Sequence, residues 1–235
     1  MYLFRRKFFK ASYLVSALMV PLIYLIVFGY GLGRNVRLSD GDYLTFLIPG
    51  LVAMSSMNNS YSWVASSLNL NRLYFKTFQV LIQSPVSPEA IMFGEVLAGM
   101  VKGLFAASLL ILMGLFLHGP FSINPILLLA TLLNSFMFSC LGVVIGMVTK
   151  SHEDTSTYNN FLILPMSFFS GTFFPPESLP AAFRWAISLL PLTQTNILIR
   201  KTAFDVPALL ALLAITAYSL SFVALGTRLI RNYSE

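Results

Sequence analysis

The side chains with the most chemical capacity in this chain are polar ones set within apolar sequence. Ser55, Asn58, Asn59, Ser62, Ser66 and Asn69 recur at steps of three and four, so a helix through this stretch carries them on one face. Hydroxyls and carboxamides donate and accept hydrogen bonds rather than break covalent bonds, and two roles stay open for the stripe: bonding between helices, or lining a path for a polar solute. Glu95 and Lys102 follow, seven residues apart. That spacing is ~10 Å along one helix face, too long for a direct ion pair. Glu95 is read as interfacial and Lys102 as a structural cation whose long stem can snorkel. The stretch KSHEDTST gathers Lys150, His152, Glu153 and Asp154 and reads as a solvated connector. His118 has no Cys, Glu or second His beside it to complete a metal site. Gly29, Gly31 and Gly33 follow an apolar run instead of a strand, and no G-x-x-x-x-G-K-S/T occurs, so the chain has no phosphate loop of its own. No catalytic residue, metal ligand or bound cofactor is assigned.

The elements that must position these residues are set by composition. Of the 235 residues 57% are hydrophobic and 10% charged, and the mean hydropathy is +0.77, more apolar surface than a soluble domain of this size buries. The chain is therefore an integral membrane protein. Runs that reach ~20 apolar residues imply helices rather than barrel strands. Its net charge of +6 lies in cations clustered where helices leave the membrane, which argues for lipid headgroups and against nucleic acid. Cys140, the one cysteine, lies inside an apolar run.

Taken in order, residues 1–10 mix cations and aromatics as an interfacial helix does, and a first span covers about Ser12 to Gly31. A second runs from about Tyr43 to Ser67. Residues 70–88 are amphipathic and read as a short helix along the membrane surface. Ser87-Pro88-Glu89 then opens a helix from Pro88 to Leu117, with a hydroxyl at the N-cap and an acid in the first turn. In that helix Gly99 and Gly103 permit close helix approach, as do Ser135, Ser139, Gly142 and Gly146 in a fourth span from about Ile126 to Val148. A fifth span enters near Tyr158, and a sixth runs from about Pro207 to Leu229. Between them, Phe168 to Arg200 is apolar but interrupted by Gly171, Pro175, Pro176, Pro180 and Pro191. Broken backbone at membrane depth must be buried in protein or line a cavity, so the expectation is a re-entrant hairpin. Its first arm ends near Gly171, its second runs from Pro180 to Leu190, and a third short helix starts at Thr193 as N-cap. The expected fold is thus all-α: one transmembrane domain over residues 1–235, six transmembrane helices, an N-terminal interfacial helix, and an outer re-entrant hairpin with its short helix over residues 171–204.

Six spans leave both termini on one side. That side would hold nine cations (Arg5, Arg6, Lys7, Lys10, Arg72, Lys76, Lys150, Arg228, Arg231) against five on the other (Arg34, Arg37, Arg184, Arg200, Lys201), which makes the termini cytoplasmic and the hairpin external.

Gly171, Phe174 and Pro175, then Leu179 and Pro180, then Pro191, Leu192 and Thr193, then Arg200 form a pattern that resembles the signature of type-2 ATP-binding-cassette (ABC) exporter permeases. YLTFLIPGLVAMSSMNNSY and FKTFQVLIQSPVSPEAIMFGEVL resemble the same family, and the likeness covers nearly the whole chain. Related chains often carry a longer N-terminal amphipathic segment. The resemblance implies a half-transporter of the inner membrane. Two copies would work with two separate ATPase subunits that hold ATP and Mg, moving a lipid-linked saccharide, a polysaccharide or a drug-like amphiphile. It also implies that Arg72 to Ser84 is the segment coupled to the ATPase, with Arg72, Phe75, Lys76, Phe78 and Leu81 as contacts. Because its broken backbone must be buried or line a cavity and the charge bias puts it outside, the hairpin is expected to be an outer gate, with a packing plug as the bland alternative. Arg200 would anchor its base to a carboxylate or lipid phosphate. A secondary transporter or channel is the second function class and a membrane-bound transferase the third. The topology is tested with a cysteine at Ser178: it should label with an impermeant reagent from outside intact cells, and labelling only from the cytoplasmic face would reject the arrangement.

Overall fold

A computed structural model describes residues 19–32, 42–117, 123–176 and 179–233. Among these residues every regular element is a helix. Residues 19–32 form α1, π-wound over Leu25–Leu32. The others are α2 (Tyr43–Leu73), α3 (Thr77–Gln83), α4 (Pro88–Leu117), α5 (Pro125–Val148), α6 (His152–Tyr158), α7 (Leu164–Phe169), α8 (Ala181–Ser188), α9 (Pro191–Ile199) and α10 (Val206–Arg231). A π-helical turn, Asn159–Ile163, joins α6 to α7 without a break. The segment expected to form the interfacial helix and the loop carrying Arg34 and Arg37 lie outside the described residues.

Local chemistry sets most of the helix starts. Ser87 Oγ accepts from Ala90 N (3.2 Å), Asn124 Oδ1 from Leu127 N (2.7 Å) and Asp205 Oδ1 from Ala208 N (2.9 Å), so α4, α5 and α10 each begin on a capped turn containing proline. Among the described residues, three helices are long and apolar enough to cross a membrane: Pro88–Phe116, Pro125–Val148 and Val206–Arg231.

α2 is as long, at 31 residues, but too polar to meet the same measure. It is instead enclosed, packed between α4 and α5, with Leu47, Val52, Met57, Val64 and Leu68 removed from the surface. Its buried polar groups are used between helices. Ser56 Oγ lies 2.6 Å from Ser135 Oγ of α5, and Asn134 Nδ2 of α5 donates to the Ala53 carbonyl (2.9 Å) while its Oδ1 accepts from Thr195 Oγ1 of α9 (2.9 Å). One carboxamide in an apolar helix thereby joins three elements.

Two sequence expectations change at the α2 terminus and in the following loops. α2 continues past Ser67 to Leu73, so only Thr77–Gln83 of the 70–88 segment is a separate helix; Lys76, at φ +55°, makes the break. The KSHEDTST stretch is largely a helix start, not a connector: Ser151 and Asp154 form a reciprocal capping box that begins α6 at His152, ahead of the expected Tyr158.

Contacts at both ends fix an antiparallel bundle. Arg72 of α2 donates to the Thr149 carbonyl after α5, and Arg231 of α10 pairs with Glu89 of α4 (2.6 Å). At the opposite end Asn124, before α5, donates to the Lys201 carbonyl (3.1 Å), and Tyr43 of α2 reaches the Phe173 carbonyl (2.8 Å).

The tightest packing gives a stability prediction. A Cβ at Gly103 would lie 2.8 Å from the Ser56 carbonyl oxygen of α2, which cannot swing aside, whereas one at Gly94 meets nothing within 4 Å. Gly103→Val should lower the melting temperature of the purified protein and cost about 1–3 kcal/mol by overpacking, and Gly94→Ala should leave it unchanged.

Candidate functional site

A groove of about 850 Å³ opens between α1, α2 and the α6–α7 helix. Ser55, Asn58, Asn59, Ser62 and Ser66, five members of the polar stripe on α2, line it. Asn69 does not: its Nδ2 donates to Thr149 Oγ1 (2.9 Å) and the Ser151 carbonyl (3.1 Å), joining α2 to the α5–α6 connection. Five members of the stripe thus face the groove, and Asn69 bonds between helices. Trp63 also borders the groove, and behind it the Lys102 ammonium sits 4.1 Å from the indole centroid with 2% of the residue exposed. Lys102 does not snorkel; the indole face stabilises the cation within the bundle. Glu95 stands half-buried on α4 and is not part of the groove lining.

Past α7 the chain breaks, and four successive carbonyls, Ser170 to Phe173, have side-chain partners. Gly171 takes φ +75°, a left-handed turn that suits glycine. The Ser170 carbonyl accepts from Asn196 Nδ2 (2.8 Å), those of Gly171 and Thr172 from Arg200 Nη2 (2.9 and 3.3 Å), and that of Phe173 from the Tyr43 hydroxyl. Arg200 Nε also reaches the Phe46 carbonyl (3.2 Å), with the guanidinium 3.8 Å from the Phe46 ring centroid. Gly50 of α2 makes room for this arrangement, since a Cβ there would come within 2.8 Å of Arg200 Nη2 and of the Thr172 carbonyl oxygen. The guanidinium thus braces main-chain carbonyls of the turn, a use its pattern in sequence did not reveal.

The remaining signature residues follow. Phe174, Pro175 and Leu179 are half-buried, and Pro180 is exposed as the residue that caps α8. Pro191 and Leu192 are buried at the start of α9. Thr193 is not the N-cap: Pro191 occupies the first turn after Leu190, and Thr193 Oγ1 donates backwards to the Ile187 carbonyl (2.7 Å). Gln194 Nε2 reaches the Ser188 carbonyl (2.6 Å) and the Tyr218 hydroxyl the Leu189 carbonyl (2.7 Å), so the end of α8 is closed by side chains from α9 and α10. Phe173 stacks among Tyr24, Phe28 and Phe168, with centroids 4.5 to 5.4 Å away, fastening α1 to the turn.

At the other end of the bundle, the expected ATPase contacts divide. Phe75 is 68% and Leu81 37% exposed, and Lys76 is also on the surface. Phe78 is 2% exposed, edge-on to Tyr233 at 5.4 Å, so it belongs to this chain's own core and cannot present its ring to another protein. Arg72 is likewise buried, held by the Thr149 carbonyl and lying over the Tyr233 ring (5.8 Å). Val80, unselected in sequence, is 69% exposed. Gln79 Nε2 donates to the Arg72 carbonyl (2.8 Å) and to the Tyr233 hydroxyl (3.2 Å), tying α3 to α2 and to the end of α10. Tyr233 sits in a short polar tail with no sequence signal to mark it, whereas Asn134 and Asn196, polar residues in apolar runs, had one.

Apolar helices of membrane-spanning length border this groove of mixed lining, and the chain belongs to the ABC-2 type transporter family, whose model matches residues 2–204. Inner membrane transport permease YadH of Escherichia coli K12 is 29% identical over 182 residues, covering 76% of this chain and 70% of that protein. Nodulation protein J of Rhizobium meliloti is 29% identical over 217 residues, covering 90% and 83%, and its counterpart in Rhizobium leguminosarum bv. viciae is 30% identical over 196 residues, covering 80% and 73%.

The brace is testable by substitution. Arg200→Met should destabilise the protein by about 2–3 kcal/mol, because carbonyls in an apolar setting lose a charged donor, and Arg184→Met on the exposed face of α8 should not. Thermal melts of the two purified variants make the comparison.

Proposed function

We propose that this chain is the membrane permease of an ATP-driven exporter, and that two copies enclose the pathway while two separate ATPase subunits hydrolyse MgATP. The observation that carries the reading is the polar face of α2, which borders a large groove inside an otherwise apolar bundle. In a membrane such a face needs water, solute or protein against it. In this reading six helices span the membrane: α1, α2, α4, α5, the continuous α6–α7 and α10. The end with Arg72, Lys76, Lys150, Arg228 and Arg231 faces the cytoplasm, in keeping with the excess of cations there. The name of YadH supports an inner-membrane location.

The broken segment from Gly171 to Pro191 then lies at the outer side as a re-entrant hairpin, and we assign it the role of outer gate. Its carbonyl bracing supports motion as a unit with α9 and the first turns of α2. The transported solute is an amphiphile, a lipid-linked saccharide, a polysaccharide or a drug-like molecule, as the mixed lining of the groove suggests.

Coupling falls to the exposed side of the 74–81 segment: Phe75, Lys76, Val80 and Leu81 for contact, with Phe78 and Arg72 transmitting movement inward. Phe75→Asp with Val80→Asp should reduce co-purification of the ATPase about tenfold or more without changing the permease's melting temperature. Phe78→Asp should lower folded yield instead. Undiminished ATPase retention by the double variant would reject the assignment of this surface.

A further inference from the structure

α8 is held to the rest of the protein along one edge. Ile187 is its buried residue, and the side chains that close its end come from Thr193 and Gln194 of α9 and from Tyr218 of α10. Ala181 to Ala186 are all exposed, Phe183 at 66% and Trp185 at 69%. Ala182, Trp185, Ala186 and Leu189 recur at steps of three and four and form one open apolar stripe, with Phe183 beside it.

Position along the bundle decides what meets this stripe. α10 has 26 residues, ~39 Å of helix, and Tyr218 stands twelve residues past Val206, ~18 Å along it. The Tyr218 hydroxyl donates to the Leu189 carbonyl, so α8 ends beside the middle of a helix long and apolar enough to cross a membrane. Pro180, which caps α8, comes seven residues after Phe173, whose carbonyl is tied to Tyr43 in the first turn of α2. α8 therefore descends from the end of the bundle where α2 and α10 begin, and α9 climbs back to Arg200, which reaches the Phe46 carbonyl. On either side of Tyr218, Leu213 and Leu220 of α10 are exposed as well, so the stripe continues a face suited to acyl chains.

One charge interrupts it. Arg184 is exposed and is the only charged residue between Leu179 and Ile199. Its Nη2 donates to the Leu179 carbonyl (3.2 Å), which folds the side chain back over the start of α8 and away from the end beside Tyr218. That is the direction in which a long cationic side chain carries its head to the headgroup layer. A guanidinium there meets phosphate, to which it makes charge-assisted, often bidentate bonds, and neighbouring tryptophan suits the same depth. A second copy fits the stripe less well. A two-fold contact through α8 would bring two guanidiniums together, with no carboxylate on α8 or α9 of either copy to separate them.

We propose that the open face of α8 binds a phospholipid of the outer leaflet, with the phosphate on Arg184 and the acyl chains along Phe183, Trp185 and Leu189. The inference rests on the membrane placement of the hairpin given above and adds to it a resident lipid, separate from the transported solute. Trp63 is the only other tryptophan, so Trp185 emission is read as the difference between a protein and its Trp185→Phe variant, both in phosphatidylcholine nanodiscs. Phosphatidylglycerol or phosphatidylcholine brominated on the acyl chains is introduced at equal low mole fraction, and acrylamide is the aqueous quencher. Brominated lipid should quench Trp185 and acrylamide should not. Phosphatidylglycerol, which has no cation beside its phosphate, should associate about three- to fivefold more strongly than phosphatidylcholine. Arg184→Gln should remove that preference and keep quenching by phosphatidylcholine, and Arg184→Lys should retain most of it. Equal quenching by the two lipids in the wild-type protein, or a preference that survives Arg184→Gln, would overturn the site alone. Shielding from both quenchers would mean that protein, a second copy included, covers the stripe, and would also overturn the site. Quenching by acrylamide and not by lipid would overturn the re-entrant placement together with the site.

Discussion

A carbonyl or N–H that leaves a helix inside an apolar bundle must find a partner in protein, and this requirement governs the part of the chain around Gly171. Four successive carbonyls, Ser170 to Phe173, turn away from helical bonding and each accepts from a side chain: Asn196, Arg200, Arg200 again, and Tyr43. The donors come from α2 and from α9 and its C-cap, so tertiary contacts hold the turn that its glycine and prolines begin. Gly50 belongs to the same device, because the guanidinium and the Thr172 backbone occupy the volume a side chain would fill. The carbonyls at the end of α8 are closed in the same manner by Thr193, Gln194 and Tyr218.

α2 shows the complementary solution. Its serines and asparagines make it a poor lipid-facing helix, and the bundle shields it with the more apolar α4 and α5. What remains of its polar face meets the groove. The same helix therefore supplies the bundle's central packing, through Ser56 and the Ala53 carbonyl, and one wall of the groove, through Asn58, Asn59, Ser62 and Ser66. Its two ends are also where the turn at Gly171 and α3 attach.

The attachment of α3 is compact. Gln79 joins the Arg72 carbonyl to the Tyr233 hydroxyl, Phe78 packs on the Tyr233 ring, and Arg72 and Asn69 hold the Thr149–Ser151 connection. One small helix thereby touches the ends of α2 and α10, and through α2 the entry to α6. The strained, positive-φ Lys76 marks where the chain departs from α2 to make this possible.

Elements governed by short-range chemistry were legible in the sequence. The helix from Pro88 to Leu117 has the bounds its capping residues and apolar run dictate, that from Pro125 to Val148 starts one residue earlier than expected, and that from Val206 to Arg231 differs by one residue at its start and two at its end. The break at Gly171 and the shared face of Ser55, Asn58, Asn59, Ser62 and Ser66 were equally plain, since proline, glycine and helical period act locally. What depended on neighbours far along the chain was not. Phe78 and Phe75 have the same chemistry three residues apart, yet Tyr233 buries one and leaves the other exposed. Asn69 continues the polar stripe by spacing, but the Thr149 hydroxyl and the Ser151 carbonyl draw it out of the groove and into packing. Pro191 displaced Thr193 from the cap because a proline ring fits a first turn, and Thr193 then closed α8 instead. Periodicity and caps state where a helix runs and which residues share a face; only the packed bundle decides which faces meet, because the partner of each buried polar group is supplied from elsewhere in the chain.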